Sequence, residues 1–167
     1  MHPWFEFYAV IGGAAAALLG LLFVTISINA AATLGVGHEN SKRLAEQAFQ
    51  NYLFVLLISL LALFPDMTIS TFGVVALCGT ALRTIWLLVR LYLTLAQHTD
   101  QESRRFALRR HLSSLIGFGL LIYSALGMAM NHEDDRYLFA TATIILLFSA
   151  TGVSWELLLR IGKTDQV

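Results

Sequence analysis

The stretch MTISTFGVVALCGTALRTIWLLVRLYLTLA, residues 67–96, decides the fold of this chain. It is almost entirely apolar, and only Arg83 and Arg90 carry charge. At 1.5 Å per residue it forms a helix of about 45 Å, longer than the ~30 Å hydrocarbon core of a bilayer. The segment therefore predicts a membrane-spanning helix with two arginines in or near the membrane.

One face of this helix is small or polar, whereas the other faces are bulky and apolar. Arg83 and Arg90 are seven residues apart and share that face, which is followed along the helix by steps of three and four. Such a face is expected to meet another helix, another subunit or water rather than lipid. We call it the small/polar stripe, and all of its eight members except Leu87 are small or polar. They are Gly73, Ala76, Thr80, Arg83, Leu87, Arg90, Thr94 and Gln97, and the first six are the candidate pore-lining or gate residues.

The composition indicates an integral membrane protein. The chain is 57% hydrophobic and 13% charged, against about 25% charged residues in soluble domains. The net charge is +0, which gives no sign of a nucleic-acid partner. No phosphate loop, dinucleotide fingerprint, metalloprotease motif or serine-hydrolase motif is present. We therefore expect no catalytic residues, no enzyme activity, no cofactor and no metal.

The breaks between apolar runs predict a single all-α transmembrane domain over residues 1–167. Glycines at 35 and 37, Pro65-Asp66, a polar segment at 97–105 and an acidic turn at 131–135 separate the runs. The predicted spans are residues 7–34, 44–64, 67–96, 106–130 and 136–161.

The basic residues predict the orientation of the spans. With five spans, one side of the membrane receives most of the lysines and arginines, and the positive-inside rule makes that side cytoplasmic. The N-terminus is then outside and the C-terminus inside. The residues on or near the basic side are Lys42, Arg43, Arg90, Arg104, Arg105, Arg109, Arg110, Arg160 and Lys163, whereas the other side receives Arg136 alone.

Four polar residues fall at a similar depth in the inner half of the membrane. Because an arginine inside a bilayer is costly unless it is paired, Glu156 is the expected partner of Arg83. The group has two interpretations: a buried ion pair that fixes helix register, or a gate at the cytoplasmic end of a pore. This predicted inner polar layer consists of Asn29, Asn51, Arg83 and Glu156.

Two further groups complete the candidate sites. Acidic residues on the outer side could form a vestibule that concentrates cations in an oligomer, or a solvated turn; they are Asp66, Glu133, Asp134 and Asp135. In the first span, Gly12, Ala16 and Gly20 recur every four residues, and this small-xxx-small spacing lets helices pack closely in lipid.

The opening segment from Trp4 to Asn29, WFEFYAVIGGAAAALLGLLFVTISIN, resembles the first span of a family of small bacterial multispanning membrane proteins. Their function is unassigned, although some are labelled as protease modulators. The resemblance covers this first span alone. It implies a multi-pass protein of the bacterial inner membrane and carries no functional residue over to this chain.

Two functions fit these patterns. The first is a homo-oligomeric channel or pore for small ions, lined by the small/polar stripe of the third span. The second is a non-conducting regulator or accessory subunit that acts through helix–helix contacts. In both, the expected partners are membrane lipids and either further copies of the chain or another membrane protein.

Overall fold

The structure is a computed structural model that describes residues 3–30, 33, 35, 39–97, 101–132 and 134–164. Within these ranges the side chains of residues 3, 39–40, 90–91, 94–97, 101–114 and 163–164 are not described. The described residues form five long helices and no strand. This confirms the predicted all-α class.

The five helices lie where the apolar runs predict them. They are α1 (Pro3–Ile28), α2 (Glu39–Ala62), α3 (Ile69–Gln97), α4 (Gln101–Ala129) and α5 (Asp135–Thr164). Four contain stretches long and apolar enough to cross a membrane, namely Trp4–Ile28, Ser41–Ala62, Ile69–Val89 and Asp135–Gly162. The apolar part of α4, Leu115–Ala129, is shorter than these four stretches. A fifth span and the orientation of the termini stay predictions.

Helix α1 ends at Ile28, earlier than the predicted end at Leu34. Its last turns are rich in residues that hydrogen-bond their own backbone. The hydroxyls of Thr25 and Ser27 donate to the carbonyls of Leu21 and Phe23, each over 2.9 Å. Such bonds satisfy the two hydroxyls within the apolar helix.

The connection between α2 and α3 is short because its residues suit a tight turn. Asp66 follows Pro65 and has φ 57°, a left-handed conformation that Asp and Asn tolerate better than other non-glycine residues. Thr68 then caps α3, since its hydroxyl accepts a hydrogen bond of 3.2 Å from the Thr71 amide.

The turn between α4 and α5 is closed by a C-terminal capping motif. Asn131 has φ 68°, its amide donates to the Met128 carbonyl, and the His132 amide donates to the Gly127 carbonyl, both over 3.0 Å. This is the Schellman pattern, which satisfies the last carbonyls of a helix. The acidic segment therefore reverses the chain within a few residues, as predicted.

The chain divides into two compact units. The first comprises residues 1–64 and 147–167, and the second comprises residues 65–146. The first unit has an apolar core to which α1, α2 and α5 contribute; its buried members include Leu22, Leu44, Ala48, Tyr52, Val153 and Leu157. The second unit contains α3 and α4, which pack against each other, and the beginning of α5.

Candidate functional site

The small/polar stripe packs against α4 within the second unit. A Cβ added at Gly73 would lie 2.5 Å from the Ala129 nitrogen and 2.8 Å from the Met128 carbonyl carbon. Close by, the Ser70 hydroxyl donates to the Ala129 carbonyl over 3.0 Å. Only a glycine allows the α3 backbone to approach α4 this closely, so this end of the stripe meets another helix of the same chain.

The middle of the stripe is also buried, and the hydroxyl of Thr80 is satisfied within α3. Ala76, Thr80 and Leu87 are all buried. The Thr80 hydroxyl donates to the Ala76 carbonyl. The side chains of Arg90, Thr94 and Gln97 lie outside the described residues. The role of the stripe as a pore lining or gate stays a prediction. Gly73 packs against α4, and Ala76, Thr80 and Leu87 are buried rather than open to solvent.

Arg83 lies between two aromatic rings. Its guanidinium carbon is 4.9 Å from the ring centroid of Trp86, one turn along α3, and 5.7 Å from that of Phe118 on α4. Both distances are in the range of cation–π contacts, which strengthen where water is excluded. The sequence did not single out either ring as a partner of Arg83, because aromatic residues are common in apolar helices and give no signal of their own.

The predicted inner polar layer is distributed over both units. Glu156 belongs to the first unit, and its Oε1 accepts hydrogen bonds from Arg160 Nη2 at 2.9 Å and Nε at 3.3 Å. Asn29 donates through Nδ2 to the Thr25 carbonyl over 3.0 Å, and Asn51 is buried. Glu156 thus pairs with Arg160, four residues further along the same helix. The sequence analysis did not name this partner. The pairing of Glu156 with Arg83 stays a prediction.

A cluster of hydroxyl groups ties α2 to α5 in the first unit. The Tyr52 hydroxyl donates to the Thr151 hydroxyl over 3.2 Å, and the Ser154 hydroxyl lies 3.3 Å from the Tyr52 hydroxyl, to which it donates. Tyr52 itself is buried. Because the hydroxyl of a buried tyrosine needs a partner, the bonds to the exposed Thr151 and the half-buried Ser154 hold one helix against the other. Sequence reasoning missed it, since Thr and Ser in an apolar helix usually bond their own backbone.

The predicted outer acids differ in their surroundings. Asp66 and Asp134 are exposed, whereas Asp135 is half-buried. The Asp135 carboxylate lies against Gly127, in the space that a Cβ there would occupy, and its Oδ2 is 3.9 Å from His132 Nδ1. Asp135 therefore takes part in the α4–α5 turn. Glu133 lies outside the described residues, and a shared vestibule stays a prediction.

The small residues of α1 lie on two different faces of the helix. Gly12 faces α2, because a Cβ there would lie 2.9 Å from the Ser59 Cβ. Ala16 and Gly20 are exposed. The predicted packing group is thus split: Gly12 acts inside the first unit, and Ala16 and Gly20 lie on an uncovered face together with Ala9 and Gly13.

The class of protein that these features define is an all-helical protein with helices long and apolar enough to span a membrane. In the part of the chain that the structure describes, no group of three or more His, Cys, Asp or Glu side chains is placed to hold a metal ion. No protein-family model, curated protein or solved structure matches the chain.

Proposed function

We propose that this protein is a multi-pass membrane protein that acts through helix–helix contacts, as a non-conducting regulator or accessory subunit. The packing of Gly73 against the α4 backbone carries the proposal. A stripe that a neighbouring helix covers is not available to line an aqueous path. The hydrogen bond from Thr80 to Ala76 supports the same conclusion, because it turns the hydroxyl toward its own helix.

The uncovered face of α1 is the surface that we assign to the partner. It consists of Ala9, Gly13, Ala16 and Gly20, all exposed, and nothing lies within 4 Å of a Cβ added at Gly13 or Gly20. In lipid, small residues let a second helix approach closely enough for extensive van der Waals contact. The setting that we propose is the bacterial inner membrane, which the resemblance of the first span supports.

Site-specific photo-cross-linking in native membranes tests this assignment. A diazirine amino acid replaces Ala16 on the small-residue face of α1, and the matched control replaces Leu21, which is exposed on another side of the same helix. We expect a discrete cross-linked species from position 16 and only lipid adducts from position 21. Equal yields of discrete species from both positions, or none from position 16, would contradict the proposal.

The second candidate is the homo-oligomeric ion channel, and Arg83 is the observation that favours it. Arg83 lies within the apolar span Ile69–Val89, and its Nε and Nη1 are buried. A guanidinium at that depth costs several kcal/mol in lipid and much less beside water. A water-filled pore in an oligomer would therefore lower the free-energy cost of this arginine, whereas surrounding lipid would not.

Single-channel recording in planar bilayers under a salt gradient separates the two candidates. We expect silence from the purified wild type, with folding shown by circular dichroism. Discrete openings whose reversal potential shifts in Arg83→Ala would favour the channel and overturn the first proposal. Openings that the substitution leaves unchanged would also establish conduction, but would leave Arg83 with a packing role.

A further inference from the structure

Helix α4 continues without a break from a basic segment into an apolar one. It runs from Gln101 to Ala129, and its first part contains four arginines, Arg104, Arg105, Arg109 and Arg110. The following residues, 111–130, include no aspartate, glutamate, lysine or arginine. In a helix that length of chain measures about 30 Å, which matches the ~30 Å hydrocarbon core of a bilayer. The arginines therefore lie where a span through α4 leaves the membrane.

The spacing along the helix distributes these arginines over the headgroup layer. Arg109 and Arg110 fall at the edge of the hydrocarbon core, and Arg104 and Arg105 lie about 8 Å further out, since each residue adds 1.5 Å. The headgroup region of a bilayer is about 5–8 Å thick on each side. The segment thus carries positive charge through the layer in which lipid phosphates lie.

The second unit holds little opposite charge at this end. Residues 101–114 contain one acid, Glu102. Helix α3, which packs against α4, has no aspartate or glutamate along its length and adds a further arginine, Arg90. An arginine-rich helix end with so few acids in its own unit favours an anionic ligand from outside the chain. The other described acids of this unit belong to turns at the opposite end of α3 and α4, and they are Asp66, Asp134 and Asp135.

The arginines are also spread around the helix axis. At 100° per residue, the four positions cover about 240° of the circumference. One neighbouring helix borders only part of that arc, so a ring of lipid headgroups fits the segment better than a single protein surface does. Basic clusters directly next to a membrane span attract anionic lipids.

We propose that the segment Arg104–Arg110 binds the phosphate groups of anionic phospholipids, on the side of the membrane that the basic residues predict to be cytoplasmic. Lipid is assigned rather than free phosphate, because the apolar part of α4 follows directly and holds the segment at the level of the headgroups. The site requires that α4 crosses the membrane. It does not depend on the proposed regulatory function.

Electron paramagnetic resonance of spin-labelled lipids tests the site on the full-length protein. The protein is reconstituted in phosphatidylcholine vesicles with a trace of spin-labelled phosphatidylglycerol or phosphatidylcholine in both leaflets, and the motionally restricted fraction measures lipid binding. We expect the wild type to prefer phosphatidylglycerol about three- to fivefold. We expect Arg109→Gln with Arg110→Gln to lower this preference below about 1.5-fold, and the corresponding lysine substitutions to keep most of it.

The matched control is Lys42→Gln with Arg43→Gln, which removes the same charge from the start of α2. We expect it to leave the preference within about 1.5-fold of the wild-type value. Equal losses from the two double variants would overturn the site in favour of general attraction, and so would a wild type without preference. Displacement of phosphatidylglycerol by inorganic phosphate, beyond the effect of chloride at equal ionic strength, would replace the lipid by free phosphate. Circular dichroism of each variant in the vesicles shows that it is folded.

Discussion

At the scale of single residues, the glycines of α3 show how one missing side chain sets a helix contact. Gly73 and Gly79 lie on the same helix, but only Gly73 meets a backbone. Nothing lies within 4 Å of a Cβ added at Gly79, whereas a Cβ at Gly73 would be 3.0 Å or less from three backbone atoms of α4. Backbone atoms cannot move aside as the end of a flexible side chain can, so the two glycines respond differently to substitution.

Gly73→Ala is expected to lower the free energy of unfolding by about 1–3 kcal/mol, because the added methyl group forces α3 away from α4. Gly79→Ala is the matched control and is expected to be neutral or stabilising by up to ~1 kcal/mol, since alanine favours a helix over glycine. Unfolding by a denaturing detergent, followed by circular dichroism, measures both. Equal stability of the two variants would contradict the close contact seen at Gly73.

Arg83 shows why a residue can be recognised as important while its partner is not. Its presence in an apolar helix is visible in the sequence, and depth counting points to Glu156 as a carboxylate at a similar level. The structure places the rings of Trp86 and Phe118 next to the guanidinium. Depth alone does not specify which helices are neighbours, and aromatic rings are too common in apolar helices to be singled out.

At the scale of the elements, the two units use different means to hold their helices together. In the second unit α3 and α4 approach backbone to backbone at Gly73, with the Ser70 hydroxyl on the Ala129 carbonyl. In the first unit α2 and α5 share an apolar core and the Tyr52 hydroxyl cluster. In lipid, where the hydrophobic effect does not drive helices together, such packing and hydrogen bonds carry the association.

Tyr52→Phe is expected to lower the free energy of unfolding by about 0.5–1.5 kcal/mol, because it removes both interhelical hydroxyl contacts while keeping the ring. Tyr123→Phe is the control, since Tyr123 is exposed on α4. Reversible unfolding in mixed micelles gives both values. If the two substitutions cost the same, the hydroxyl cluster does not stabilise the α2–α5 contact.

At the scale of the whole molecule, the distribution of charge predicts how the chain crosses the membrane. With five spans, Lys42 and the basic residues near α4 are cytoplasmic, and the turn that contains Asp134 is outside. Both Lys42 and Asp134 are exposed, so both positions are accessible to a reagent. The side chains of the arginines at 104–110 lie outside the described residues, so the prediction depends on the sequence.

Cysteine accessibility in a Cys78→Ser background tests this topology. We expect a membrane-impermeant maleimide added to spheroplasts to label Asp134→Cys, and to label Lys42→Cys only after the membrane is permeabilised. The reason is that the two positions are separated by an odd number of predicted spans. Labelling of both positions in intact spheroplasts would contradict the five-span arrangement.

The sequence by itself determined that the described parts of the chain form helices and no strand, and where the five long helices among them lie. Those properties are local, because long apolar runs favour helices and the breaks at Pro65-Asp66 and Asn131 interrupt them through their own backbone preferences. Only the tertiary structure decided what each face meets: that Gly73 lies against α4, that Gly12 and Gly20 serve different faces, and that Glu156 pairs with Arg160. A small or polar stripe suits a helix, a subunit or water equally well, so its neighbour depends on how distant segments pack.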